Sequence, residues 1–230
     1  LQESGELTLR ITEWIDIDLE RSIDHLQVEI EKYYRFTDGE MLRLGQLKGF
    51  VDGTLGSRTA YFFEDYADKP GEHGLPQFTD SELDQIFQQA HELDLQVGLH
   101  CIGDKANWMV LQAIERAQTQ HPQTRLRHRL EHAQILRPQD ISKLAELQVI
   151  ASMQPTHCTT DLRWAEKRLG AERCTHGAYA WKTIRESGAH LFFGTDWPVE
   201  PLDPVRGLYS AVTRRNIETG EPNDGWMAHE

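Results

Sequence analysis

Short segments of strand length alternate with segments whose apolar residues recur at helical spacing, and this alternation limits the chain to an α/β fold built on a parallel sheet. Parallel neighbours need a crossover, and right-handed crossovers lay each helix back on the sheet it came from. Residues 7–17 alternate apolar and polar side chains as a half-buried strand does; Leu19, Ile23, Leu26 and Ile30 then predict an amphipathic helix ending near Tyr34. A second strand is expected within residues 42–52. Residues 53–78, rich in Gly, Pro and acidic side chains, read as a functional loop. Thr79 and Glu82 form a capping box for a helix whose apolar face is Leu83, Ile86, Phe87, Ala90 and Leu93.

Beyond it the expected order is strand 96–101, helix 105–120, strand 126–131, helix 138–147 and strand 149–154. After an irregular stretch come helix 179–187, strand 191–194 and a last helix at 205–218. That makes about six β/α units, where a closed TIM (β/α)8 barrel has about eight. A doubly wound open sheet is the alternative, but no glycine-rich phosphate loop follows the first strand. The expectation is one domain over residues 1–230, a TIM-type barrel lacking two strands.

The 39% hydrophobic and 27% charged content fits a globular chain, and the net charge of −13 argues against nucleic acid as a partner. No apolar run reaches the ~18 residues that span a bilayer. The first ten residues, LQESGELTLR, have neither the basic start nor the apolar run of a signal peptide. Cys101, Cys158 and Cys174 are odd in number and lack CxxC spacing, which favours free thiols in a reducing, cytoplasmic compartment.

In parallel barrels the reactive side chains gather at the C-terminal ends of the strands. His100 ends the strand QVGLH, His132 ends LRHRLEH, and Asp196 follows LFFGT, taken as a buried strand. Imidazoles and a carboxylate suit zinc or a similar divalent ion. Taken singly, each more often packs, caps a turn or faces solvent; three at equivalent depth make a metal site the better reading. Asp196 would hold the metal and also accept a proton from an attacking water. Lys48, in the apolar context QLKGFV, is costly unless neutral, paired or modified, although a lone strand lysine usually faces solvent.

The segments KGFVDGTLGSRTA, HCIGDKA, RHRLEHAQ, ASMQPTH and GTDWPVEPLDP occur in this order across most of the chain. With them the chain resembles the amidohydrolase superfamily, in its YtcJ-like or amidohydrolase 3 group, which includes N-substituted formamide deformylases. The resemblance implies a TIM barrel holding one or two divalent ions, zinc first, with iron, manganese or nickel as alternatives. Lys48 would be a carboxylated bridging ligand, His100 and His132 would hold one metal, and Asp196 would be ligand and general base. Asp52, Arg58 and His157 match positions near the mouth that would touch substrate; their bland alternatives are a turn residue, a surface cation and a loop residue. The substrate would be a small amide-type molecule, and no membrane partner is implied.

The family pattern also has a His-x-His pair on its first strand, and no His-x-His occurs in these 230 residues. The expectation is therefore a fragment carrying strands three to eight of the family barrel. Its open sheet edge would invite homo-oligomerisation. Two functions compete: metal-dependent hydrolysis of a C–N bond, and a catalytically incomplete fragment or binding module.

Overall fold

The computed structural model describes residues 4–20, 23–34, 41–123 and 126–230. Six parallel strands lie side by side in chain order: β1 (Ile11–Asp16), β2 (Leu42–Phe50), β3 (Gln96–Cys101), β4 (Arg129–His132), β5 (Ile150–Met153) and β6 (His190–Phe193). Between them run α1 (Ile23–Tyr34), α2 (Asp80–Glu92), α3 (Asp104–Gln120), α4 (Pro138–Glu146) and α8 (Trp181–Glu186), and α9 (Pro204–Thr213) follows β6. This is the β/α progression of a TIM-type barrel, present as an arc with β1 and β6 at its edges.

The register separates two kinds of surface. Gly49, Leu99, Leu130, Ala151 and Leu191 pair across the sheet in one row, and its middle members Leu99, Leu130 and Ala151 are fully buried in the core. The adjacent row runs Phe50, His100, Glu131, Ser152 and Phe192. Because successive side chains point to opposite faces, this second row lies on the other side, away from that apolar row. Its centre is polar, while its outer members Phe50 and Phe192 are exposed.

The predicted capping box is present: the Thr79 hydroxyl accepts from the Glu82 amide at 3.3 Å, and the Glu82 carboxylate accepts from the Thr79 amide at 2.7 Å. Leu83, Ile86, Phe87 and Ala90 form the buried face, with Leu93 only half-buried. Residues 126–128, the first part of the stretch expected as strand 126–131, precede the strand; β4 starts at Arg129 and reaches His132. The irregular stretch after β5 holds three short helices: α5 (Pro155–Asp161), α6 (Ala165–Leu169) and α7 (Ala171–Gly177). Gly170, at φ 81°, separates the last two, since that left-handed backbone ends one helix before the next begins. Helix α9 stops at Thr213 rather than 218 because Arg214 turns left-handed at φ 51°. The expectation of a buried strand before Asp196 is corrected: Phe192 and Phe193 of β6 are 49% and 43% exposed, since among the described residues this edge strand has one strand neighbour, and the Trp181 ring of α8 covers Phe193 only in part. Among the described residues no helix is long and apolar enough to cross a membrane.

Candidate metal centre

Register and pleat bring Lys48, Phe50, His100 and Glu131 to the polar face, because Phe50 and Glu131 are the direct partners of His100. His132 is the direct partner of Cys101, one position on, and the pleat alone would send it to the opposite face. It does not go there. His132 and Ala133 have φ of 77° and 43°, a left-handed turn costing about 1–2 kcal/mol per residue for side chains other than glycine. The turn carries the His132 ring back to His100, with ring centroids 4.4 Å apart and near-perpendicular planes. On its other side His132 stacks on His157, the third residue of α5, at 5.6 Å.

Asp196 follows β6 by three residues, also left-handed at φ 56°, and its carboxylate stands 3.6 Å from His157 Nε2. One ligand atom each from His132, His157 and Asp196 lies within 4.8 Å of the other two, a separation that fits coordination of a single ion. His157 Nε2 is buried and has no hydrogen-bond partner among the described residues. Such an orphan costs free energy unless something occupies the space it faces.

The neighbouring bonds fix which ring nitrogens are free. The Nδ1 of His132 lies 2.7 Å from Gln154 Oε1, and the Gln154 amide nitrogen donates to the Ser152 carbonyl at 3.2 Å. Gln154 therefore presents its oxygen, His132 donates from Nδ1, and the lone pair of Nε2 is left for a ligand. In His100 the reverse holds: Nε2 lies 3.0 Å from the Gly53 carbonyl, which only accepts, so Nδ1 keeps the lone pair. Burial holds all three rings in the neutral form that binds metal: His100 and His157 are each pushed down to about 4, and His132 well below the ordinary range. Burial raises the Asp196 carboxyl, and Lys48 opposes the shift. Two neutral imidazoles and a carboxylate fit zinc or a similar divalent ion.

Lys48 is half-buried, its Nζ 4.3 Å from the centre of the Phe50 ring and donating to the Gly49 carbonyl at 3.3 Å. Desolvation lowers its basicity, while Glu131 and Asp196 pull the other way. Asp52 is buried and accepts from the amides of Tyr61, Ile102 and Gly103 at 2.7–3.0 Å, with Oδ1 3.7 Å from His100 Nε2. Burial raises it to about 7 against the downward pull of those amides. Gly103 is required there, because a Cβ would collide with the Tyr61 carbonyl. Arg58 donates twice to Asp68, at 3.1 and 2.8 Å, and Arg168 of α6 pairs with the same carboxylate, so Arg58 braces the long loop while Arg168 fastens it to α6. The structure thus brings His100, His132, His157 and Asp196 together, puts Lys48 on the same face, gives Asp52 to the loops, and engages Arg58 elsewhere. Sequence reasoning passed over Gln154; the available signal was a polar residue closing the apolar strand IASM.

The comparisons with known proteins agree with this picture. An amidohydrolase family model matches residues 1–229. Protein LONG AFTER FAR-RED 3 of Arabidopsis thaliana is 38% identical over 76% of this chain and 30% of its own length. The putative amidohydrolase YtcJ of Bacillus subtilis is 36% identical over 84% of this chain and 36% of its own. Crystal structures of uncharacterised metal-dependent hydrolases match at TM-scores of 0.78 and 0.80: one from Pyrococcus furiosus at 31% identity, one from Pyrococcus horikoshii at 28%. They cover 98% and 100% of this chain, and 44% and 43% of theirs. The chain therefore spans about a third of the length of these curated relatives.

Proposed function

The chain belongs to the amidohydrolase family, and from that premise we propose that it supplies the metal-binding and proton-transfer side chains of a hydrolase acting on a C–N bond of amide or formamide type. The observation carrying this reading is the buried, unpartnered His157 Nε2 within ligand reach of His132 and Asp196. His132, His157 and Asp196 would hold one divalent ion, zinc first, with the free Nδ1 of His100 beside them. When bound, such an ion supplies a Lewis acid that polarises a carbonyl and acidifies water. Asp196 then accepts the proton of the attacking water at a carboxylate oxygen and returns it to the departing amine nitrogen. Asp196 can do both because burial has already raised its affinity for a proton.

Lys48, its basicity reduced by burial, is the candidate for carboxylation and an anionic ligand role. The assignment to small amide-type substrates in a reducing, cytoplasmic setting rests on the family and on three buried free thiols. The competing reading is a metal-binding module that is catalytically incomplete, and the 30% and 36% coverage of the curated relatives favours it. One experiment separates them: hydrolysis of an amide panel by the zinc-loaded chain and by its Asp196→Asn variant. Turnover that falls by about 10²–10⁴ in the variant supports the hydrolase. Equal turnover overturns the role of Asp196, and metal binding without any turnover selects the module.

A further inference from the structure

We propose that Gln134, Asp161 and Tyr179 form a buried clamp that sets the spacing of the two metal-facing imidazoles, His132 and His157, and so tunes the affinity of the metal centre. The proposal rests on the metal reading above. The two histidines come from different places, one at the end of β4 and the other on α5, so something must hold these segments in one arrangement. Gln134 lies two residues beyond His132. Asp161 closes α5, one helical turn beyond His157.

These residues form a closed ring of hydrogen bonds. Gln134 Nε2 donates to Asp161 Oδ2 at 3.0 Å and to Tyr179 Oη at 2.8 Å, and the Tyr179 hydroxyl donates to Asp161 Oδ2 at 2.6 Å. The carboxylate only accepts, so the direction of each bond is settled. The backbone repeats the connection: the Tyr179 amide donates to the Gln134 carbonyl at 2.8 Å, and the Leu136 amide to the Gly177 carbonyl at 2.9 Å. Gly177 permits this approach, because a Cβ there would collide with the Leu136 carbonyl.

Tyr179 is fixed from behind by Arg214, which donates to its carbonyl at 3.1 Å while its guanidinium lies 3.8 Å from the centre of the Trp181 ring. Gln134 and Tyr179 are buried at 4% and 2% exposure. None of the three hydrogen-bonds to a metal-facing side chain in the structure, so their action is positional. Without the ring, the left-handed turn at His132 and Ala133 would relax toward the extended backbone, and the His132 ring would swing to the face occupied by Cys101.

The test titrates cobalt(II) alone into the full chain and into Tyr179→Phe, Asp161→Ala and Asp161→Asn, reading affinity by chelator competition and ligand geometry by visible absorption. Tyr179→Phe and Asp161→Ala should weaken cobalt binding by about 10-fold to 100-fold and shift the absorption bands. Asp161→Asn keeps an acceptor oxygen and should restore both. Unchanged affinity and bands in Tyr179→Phe, which keeps the ring and its packing, overturn the clamp even if Asp161→Ala fails to fold. Nitrogen-15 imidazole spectra of the metal-free chain give a second readout. Tyr179→Phe should move the His132 and His157 signals and leave that of the distant His128; unmoved signals overturn the clamp. Failure of the unsubstituted chain to bind cobalt overturns the metal reading alone, because the imidazole spectra still decide the clamp.

Discussion

Gln154 sets the protonation of His132 with its side chain, while its backbone carbonyl accepts from the His157 amide at 3.0 Å. The side-chain oxygen is the acceptor at 2.7 Å that keeps the proton on Nδ1 and leaves Nε2 free. Leucine at this position would fill the space and remove the acceptor, so either tautomer of His132 would be open. Gln154→Leu should therefore weaken zinc binding by about 10-fold to 100-fold, measured by chelator competition. Affinity equal to that of the parent chain would mean the tautomer is fixed by other means. Strand-end position was enough to single out His100 and His132 in the sequence. The resemblance put His157 near the mouth, but its contact with His132 was not legible, because it depends on a left-handed backbone at His132, and no periodicity records the sign of φ. Asp52 shows the same limit: a DG turn can be read from the sequence, but not the three amides that converge on its carboxylate.

At the scale of elements, the strands and the long helices were legible because each repeats a period often enough to be counted. Helix α3 begins one residue from its expected start, and β3 matches residue for residue. The three helices between β5 and α8 are seven residues or fewer, too short for a repeat to show, and two begin beside Pro155 or Gly170, which read equally well as loop. Strand β6 is the element most at odds with its sequence. LFF looks like core, yet among the described residues the strand pairs only with β5 and leaves both phenylalanines exposed. Unpaired amides beside apolar side chains form a template for another strand. Light scattering on the isolated chain should accordingly find dimers or larger assemblies, and Phe192→Lys should shift it toward monomer. A monomeric parent chain with a cooperative melt would contradict this.

For the molecule as a whole, the buried histidines set the pH response. Burial pushes His100 and His157 down to about 4 and His128 to about 3, from an ordinary value of 6.5. As pH falls through 6.5 the unfolded chain takes up these protons, while the folded chain does not until near 4. Over that window these histidines make the unfolded state bind more protons and outnumber Asp52, whose carboxyl, raised to about 7, works the other way, so folding stability drops with pH. Denaturant unfolding of the metal-free chain should show a lower stability at about pH 5 than at about pH 7, and a bound divalent ion should widen the gap because its ligands must be deprotonated, the imidazoles neutral and the carboxylate ionised. Equal stability at both would mean that the rings are protonated in place.

The loop over residues 53–78 is tied down at a few separate points. Asp52 collects amides at one end, and Asp68 joins Arg58 to Arg168 within it. Each tie uses side chains that take no part in the metal group. Leu55, Ala60, Phe62 and Tyr66 are core residues, but exposed positions such as Lys69, Pro70 and Glu72 can be exchanged without altering the backbone that presents the histidines. If the proposed function holds, the histidines carry the chemistry while the exposed loop surface is free to diverge, so descendants of such a protein can inherit the first unchanged while they experiment with the second.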